Sequence, residues 1–360
     1  MIQLATGPVC SYPLVTVITC PKPFLSGATL LFVLGAWGVG SGVNASIDEG
    51  ALLKEIGFSA QEIQRITRGE VVARTTQADS SAVALAVAAT IAVPPTFYTD
   101  RLRDIASFKQ GPEIHQIGKL SRQPTAAEMA TLVLDQADVD DLRDCQVGDC
   151  GVKLDAQGIQ AVARRDARIE TASAAMRSYL AHYAGRYQQS GNAALIEYRD
   201  ASRPKPLLQD LRAIMQHLPF LQRGWPRLFE AIAGFNGTLP EGLDGFVYWS
   251  KEKIGPRAVV SLTHVIIRPL QDGTAAVATK QIYASHYGHA SLGLTILIDK
   301  GTAQDARSRV IYVNRSRLDI FGGIFGSIKR PLVRSRAREG SERTIRQLRD
   351  RLERNYRAGK

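Results

Sequence analysis

The chain has 360 residues, 45% hydrophobic, 22% charged and 7% aromatic, which is enough apolar material for a large buried core. Gly and Pro follow no period, heptads are missing and there are only four cysteines, so collagen-like, coiled-coil, disulfide-scaffold and wholly disordered classes are excluded. The formal charge of +11 is a C-terminal feature, because Lys329 to Lys360 holds 12 Lys or Arg against 4 Asp or Glu; the bulk is nearly neutral and no nucleic-acid partner is expected.

Residues 24–43, FLSGATLLFVLGAWGVGSGV, carry no charge, follow Lys22 and end in the small-residue exit Val43-Asn44-Ala45. This is the layout of a secretory signal peptide, so residues 1–45 are read as an export segment and the protein as periplasmic or cell-envelope. A retained single-pass N-terminal anchor is the alternative, since about 20 apolar residues reach across a bilayer. Export removes Cys10 and Cys20 and leaves Cys145 and Cys150 around a Val-Gly-Asp turn. In an oxidising compartment that pair reads as a small disulfide; free thiols are the alternative, and a metal site lacks the second cysteine pair it needs.

Residues 46–81 form a helical prelude, with Leu52, Leu53, Ile56, Ile63 and Ile66 at helical spacing and Ser59 as an N-cap. The run Ala82 to Val93 predicts a buried strand that Pro94-Pro95 must stop, followed by a short amphipathic helix on Phe97, Leu102, Ile105 and Phe108. Further strands are expected at Glu113 to Leu120 and Ala130 to Leu134. Residues 138–243 are mainly helical, at Val139 to Arg143, Asp155 to Arg165, Ile169 to Gln189 and Pro206 to Leu218, with a short strand at Ala194 to Tyr198. Prolines 204, 206, 219, 226 and 240 cut the end of this stretch into pieces.

From Gly245 the patterning changes to strands. FVYWSKEKI, AVVSLTHVIIRPL, AAVATKQIYASHY, SLGLTILID and SRVIYVNRS are joined by turn signals and predict an antiparallel meander. A Gly-rich loop, Phe321 to Gly326, leads into a long amphipathic helix from about Pro331, with Val333, Ala337, Ile345, Leu348, Leu352 and Tyr356 on one stripe.

Two segments carry a family resemblance. ATIAVPPTFYTDRLRDIASF at 89–108 is similar to the opening strand, proline-marked turn and helix of the START-like, or helix-grip, superfamily of lipid-binding and polyketide-cyclase-like domains. IKRPLVRSRAREGSERTIRQLRDRLE at 328–353 is similar to its closing helix. The resemblance implies an α+β fold, a curved antiparallel sheet packed on a long C-terminal helix, built from residues 82–137 and 244–356 with 138–243 as a helical insertion. It also implies an apolar cavity between sheet and helix for a lipid or other hydrophobic small molecule.

Strict alternation along Lys280 to His289 places Gln281, Tyr283, Ser285 and Tyr287 on one face and Lys280, Ile282, Ala284 and His286 on the other. Gln281, Tyr283 and Tyr287, with Trp249, Lys251 and Thr263 from neighbouring strands, are the candidate ligand-binding residues; ordinary cross-strand pairing accounts for the same residues. Phe321, Ile324, Phe325, Lys329 and Arg330 form a candidate membrane-contact tip, for which a merely basic helix face is the alternative. No HExxH or Gly-x-Ser-x-Gly motif is present, and no metal or cofactor is expected. The expected function is non-enzymatic binding or transfer of a hydrophobic ligand. A cyclase- or hydrolase-like enzyme using Lys280, His286 or Tyr283 is the first alternative, and a structural envelope protein without a ligand the second.

Overall fold

Short helices with well-defined caps open the described chain. In the computed structural model, which describes residues 47–76, 82–163, 168–302, 304–319 and 326–359, α1 (Glu49–Ile56) starts at Asp48, whose carboxylate accepts from the Ala51 N–H at 3.0 Å. α2 (Ala60–Thr67) starts at Ser59, which forms a reciprocal capping box with Glu62 as its spacing predicts. All described residues belong to one unit, Asn44–Lys360. The export segment, with Cys10 and Cys20, lies outside the described residues.

β1 (Val72–Thr75) and β2 (Ala82–Ile91) follow; β2 is apolar on both faces and buried along its length. Pro94 and Pro95 end it, and Pro95 opens α3 (Pro95–Arg103), where a missing N–H costs nothing. After α4 (Ile105–Phe108) comes β3 (Ile114–Leu120). The helical middle contains α5 (Gln136–Arg143), α6 (Ala156–Val162), the long α7 (Ile169–Ser190), the two-residue strands β4 (Glu197–Tyr198) and β5 (Lys205–Pro206), then α8 (Leu207–Met215), α9 (Pro219–Gly224) and α10 (Pro226–Ala233). The meander is β6 (Asp244–Lys253), β7 (Ala258–Gln271), β8 (Thr274–Ala284), β9 (Gly288–Asp299) and β10 (Ser308–Leu318), and α11 (Gly326–Ala358) closes the chain.

One expected strand is absent. Residues 130–134 follow a single 3-10 turn, Ala126–Met129, as a loop in which Leu132 and Leu134 are buried and Val133 is 42% exposed. That alternation imitates a strand. The backbone is instead satisfied by side chains: Gln116 accepts from the Val133 N–H, Ser173 from the Leu134 N–H, and Arg177 donates to the Leu132 carbonyl. The predicted strand at 194–198 shrinks to its last two residues.

The large sheet is antiparallel throughout, in the order β1-β2-β10-β9-β8-β7-β6-β3. β2 and β3, adjacent in the early chain, bracket the meander on opposite sides, so α3 and α4 between them must cross one sheet face. α11 packs on the same face: Ile345, Leu348 and Leu352 join Leu85, Val87, Ala89 and Val310 in one apolar cluster, while Leu102 and Ile105 join Phe246, Val265, Ile267 and Val277 in another. The opposite face is covered by α1, α2 and the helical middle, with Tyr179, Tyr183 and Tyr187 of α7 buried against it. The fold is therefore α+β, a helix-grip-like sheet and C-terminal helix with a helical segment on the far side.

Cys145 and Cys150 are disulfide-bonded. The loop they close is pinned to the chain near β4, because the Gly148 and Cys150 N–H groups donate to the Arg199 and Asp200 carbonyls at 2.7 and 2.9 Å. Closing so short a loop contributes about 2 kcal/mol through the unfolded chain. Cys145→Ser is expected to lower unfolding stability by about that amount in urea titrations, with an unchanged slope against denaturant.

Candidate functional site

Alternation fails at one place in the meander, and that place sorts the candidate residues. In the β7–β8 pair Leu262 opposes Tyr283 and Thr263 opposes Gln281, so Ile282 is an extra residue with no partner opposite. A bulge of this kind reverses the facing of everything beyond it. Gln281 and Tyr283, expected on one face, lie on opposite faces.

Tyr283 joins the face beneath the helical middle. It is fully buried beside Tyr179 and Tyr198, and its hydroxyl has no hydrogen-bond partner among the described residues. Trp249 is on the same face, donating to the Glu128 carbonyl at 3.1 Å and lying so close to Gly118 that a Cβ there would sit 2.6 Å from its indole nitrogen. Lys251 is buried there too, its ammonium held by the Val133 carbonyl and Asp135 at 2.7 and 2.6 Å. Trp249 and Lys251 hold the loop before α5 against the sheet, and Tyr283 packs against α7. Lys280 shares this face: its ammonium donates to Asn192 at 2.7 Å and lies over the rings of Tyr187 and Phe235. Tyr187 is in turn hydrogen-bonded to His264 at 2.9 Å.

The face under α3, α4 and α11 has a different chemistry. Its cross-strand rows, read from β6 to β10, begin near α3 with Asp244, which is paired with Arg103, then Ile267, Val277, Thr295 and Tyr312. The next row is Phe246, Val265, Thr279, Gly293 and Asn314, and the next is Tyr248, Thr263, Gln281, Ser291 and Ser316. Beyond these lies the hydrogen-bonded pair Ser250 and Ser261. The face thus passes from apolar to hydroxyl- and amide-bearing along the strands. Thr279, Gln281, Ser291, Asn314 and Ser316 are all half-buried. Ser316 bonds Ser291 at 2.8 Å and Asn314 at 2.9 Å, whereas the Gln281 amide makes no hydrogen bond among the described residues.

Long side chains from the two ends of this face, and from α4 above it, approach one another, as a curled sheet allows. β6 and β10 are four strand spacings apart, about 19 Å if the sheet were flat. The Tyr312 hydroxyl on β10 nevertheless interacts with Lys109, Tyr248 and Glu252; burial, with Tyr248 and Glu252, pushes it up to about 12 against the lowering effect of Lys109 and of the Asn314 hydrogen bond. Lys109 donates to Glu252 at 2.6 Å and to Tyr248 at 3.3 Å, and Ser250 donates to Glu252 at 2.6 Å. Burial opposes the Lys109 ammonium, but Tyr248 and Glu252 outweigh it and hold its pKa above the ordinary value. Its side chain keeps 26% exposure, so this crowded group still reaches solvent, as a group lining a concavity does. Gly293 permits the curl: a Cβ there would meet Thr279 Oγ1 at 2.4 Å and the Tyr312 ring at 3.3 Å.

Tyr287 lies apart from both faces, in the β8–β9 turn. It adopts φ 63°, strained for a bulky residue, and is held by the Arg257 N–H donating to its hydroxyl at 2.9 Å and by its carbonyl accepting from the Asp319 N–H at 3.0 Å. With Gly151, Lys153, Asp200, Arg257, His286 and Asp319 it lines a polar cleft of about 370 Å³. The charges in this cleft are mutually paired: Lys153 with Asp200 and Asp319, Arg257 with Asp141, and His286 with Asp138 at 2.9 Å.

Of the six candidate ligand residues, then, the structure brings Thr263 and Gln281 together as direct cross-strand partners, places Trp249, Lys251 and Tyr283 on the other face, and puts Tyr287 at the hairpin end. The three candidate acid–base groups do not converge. Lys280 lies under Tyr187 and Tyr283 under Tyr179, two turns or about 12 Å apart along α7, and His286 is bonded to Asp138. Phe321, Ile324 and Phe325 lie outside the described residues, as do the side chains of Lys329 and Arg330. Sequence reading missed Tyr248, Ser291, Tyr312, Asn314 and Ser316, although the two-residue period of Tyr312, Asn314 and Ser316 was a usable signal. It also missed Lys109, for which no local signal exists.

Burial pushes the Lys280 ammonium from 10.5 down to about 7. Between those values the unfolded chain binds a proton that the folded one lacks, so stability rises with pH across that window. Burial, then Lys280 and Arg122, lower His264 as well, which adds a loss of stability as pH falls below about 6.5. Unfolding titrations are expected to show a more stable protein at pH 9 than at pH 7, and a flatter profile for Lys280→Met; an identical pH slope in that variant would contradict the assignment.

Comparison with known proteins finds no matching family model, no matching curated protein and no matching solved structure, so the functional reading stands on geometry.

Proposed function

We propose that the protein is a START-like binding or transfer protein that holds a small amphipathic molecule, such as a lipid, on the concave face of its sheet. The observation that carries this reading is the Gln281 amide, half-buried and without a hydrogen-bond partner among the described residues, at the centre of a hydroxyl row flanked by two apolar clusters. Apolar walls with a few oriented polar groups are the usual composition of a small-molecule site. The ligand is accordingly less wholly apolar than the family resemblance alone suggests. The order of strand, two helices, strand, meander and closing helix supports the START-like assignment. The uncharged segment 24–43 and the Cys145–Cys150 disulfide support export to an oxidising envelope compartment. The arginine-rich α11 supports peripheral contact with an anionic lipid surface, through which such a ligand would be exchanged.

Native mass spectrometry of the full chain, purified without detergent, tests the reading. A stoichiometric adduct of lipid size that leaves on solvent extraction is expected, and Ser291→Phe, which fills the concavity, should lose it. A wild-type protein that carries no adduct and gains no thermal stability from a total lipid extract would overturn the proposal.

A further inference from the structure

Binding on the concave face requires the ligand's polar part to match the charge of what it meets. The row Tyr248, Thr263, Gln281, Ser291 and Ser316 and the row Phe246, Val265, Thr279, Gly293 and Asn314 contain no charged side chain. At the β3 edge of that face Lys119, exposed and opposite Tyr248, lies over the Phe246 ring and donates to the Arg103 carbonyl, three strands away from Gln281. Lys109 and Glu252 neutralise each other at 2.6 Å, with the Tyr248 and Ser250 hydroxyls as the remaining partners of that pair. The basic residues of β8 and β10 are turned away by strand alternation: Lys280 lies under α7, Arg309 bonds Glu49, Arg317 bonds Asp210, and Arg315 is buried on the same side as these two arginines. Arg351 of α11 is committed to the Phe108 and Gln110 carbonyls on either side of Lys109. What the rows do offer is both donors and acceptors: the Gln281 amide, the Asn314 amide and the hydroxyls of Ser291, Ser316, Thr263 and Tyr248.

From this we infer that the molecule bound here presents an uncharged, hydroxyl- or amide-rich head to the Gln281 row, with its alkyl or ring portion toward the apolar rows near α3. The inference rests on the proposed ligand-binding reading. A carboxylate or phosphate head at Gln281 would be half-desolvated among neutral groups, with Lys119 three strand spacings or about 14 Å away, a cost that hydroxyl groups do not incur because each finds a neutral partner. Sugar-headed or polyol amphiphiles fit, and free fatty acids and phosphate esters do not.

Calorimetric titration of the delipidated full chain with n-octyl-β-D-glucoside and with octanoate, both below micelle-forming concentration, separates the possibilities, since the two share a chain of eight carbons and differ in the head. The glucoside is expected to bind roughly tenfold or more tightly than octanoate, and Gln281→Lys, which puts a cation into the row, is expected to reverse or erase that preference. Octanoate binding to the wild type as tightly as the glucoside, or more so, would overturn the neutral-head assignment while leaving the ligand-binding reading intact. Binding of neither probe, with no extractable ligand from the native protein, would overturn both.

Discussion

Pairing of β2 with β10 is the contact on which the architecture depends. It joins Ala82–Ile91 to Ser308–Leu318 in register along ten residue pairs, and the Ser308 hydroxyl adds a bond of 2.6 Å to the Val93 carbonyl. More than two hundred residues of chain are spanned by this closure, so its entropic cost is high and has to be met by long-range burial. Once it forms, the meander is bracketed by β2 and β3, and α3 and α4, which join those strands, have one face to cross. α11 leaves from the end of β10 and returns along β1 and β2 to reach α3, where Tyr356 meets Phe97 edge to face at 5.0 Å. The concave face is thus framed on two sides by elements from opposite ends of the described chain.

The two faces of the sheet solve different physical problems. The face under the helical middle buries the largest side chains in the protein, and the polar groups it contains are mostly tied down: Lys251 by Val133 and Asp135, Lys280 by Asn192, His264 by Tyr187, and Tyr183 by the Ile282 carbonyl. Interiors of this kind are structural, since removing one partner strands the other without solvent. The concave face is instead rich in short hydroxyls and amides, and half-buried along Thr279, Gln281, Ser291, Asn314 and Ser316. A bulge at Ile282 is what lets one strand serve both faces, turning Gln281 to the concavity and Tyr283 into the core.

Much of this architecture was legible in the sequence because its signals are local. Periodicity marked the meander and α11, Pro94-Pro95 marked the end of β2, Ser59 and Glu62 marked a helix start, and the Cys-x4-Cys spacing marked a disulfide. Signals that depend on who supplies the backbone partner were misread. Residues 130–134 alternate like a strand yet receive their hydrogen bonds from Gln116, Ser173 and Arg177. β1 was missed because one buried and three half-buried residues carry no period of their own.

Sequence alone determined the α+β class, the order of the main elements and the residues able to line a sheet, since strand and helix periods are properties of consecutive side chains. Which residues share a surface was decided only by tertiary structure. One unpaired residue in β8 moved Tyr283 away from Gln281, and the loop before α5 claimed Trp249 and Lys251. Sheet curl brought Tyr312 within electrostatic reach of Lys109 and Glu252, groups from distant parts of the chain. Register, curvature and cover are set by contacts between distant segments, and no window of consecutive residues contains them.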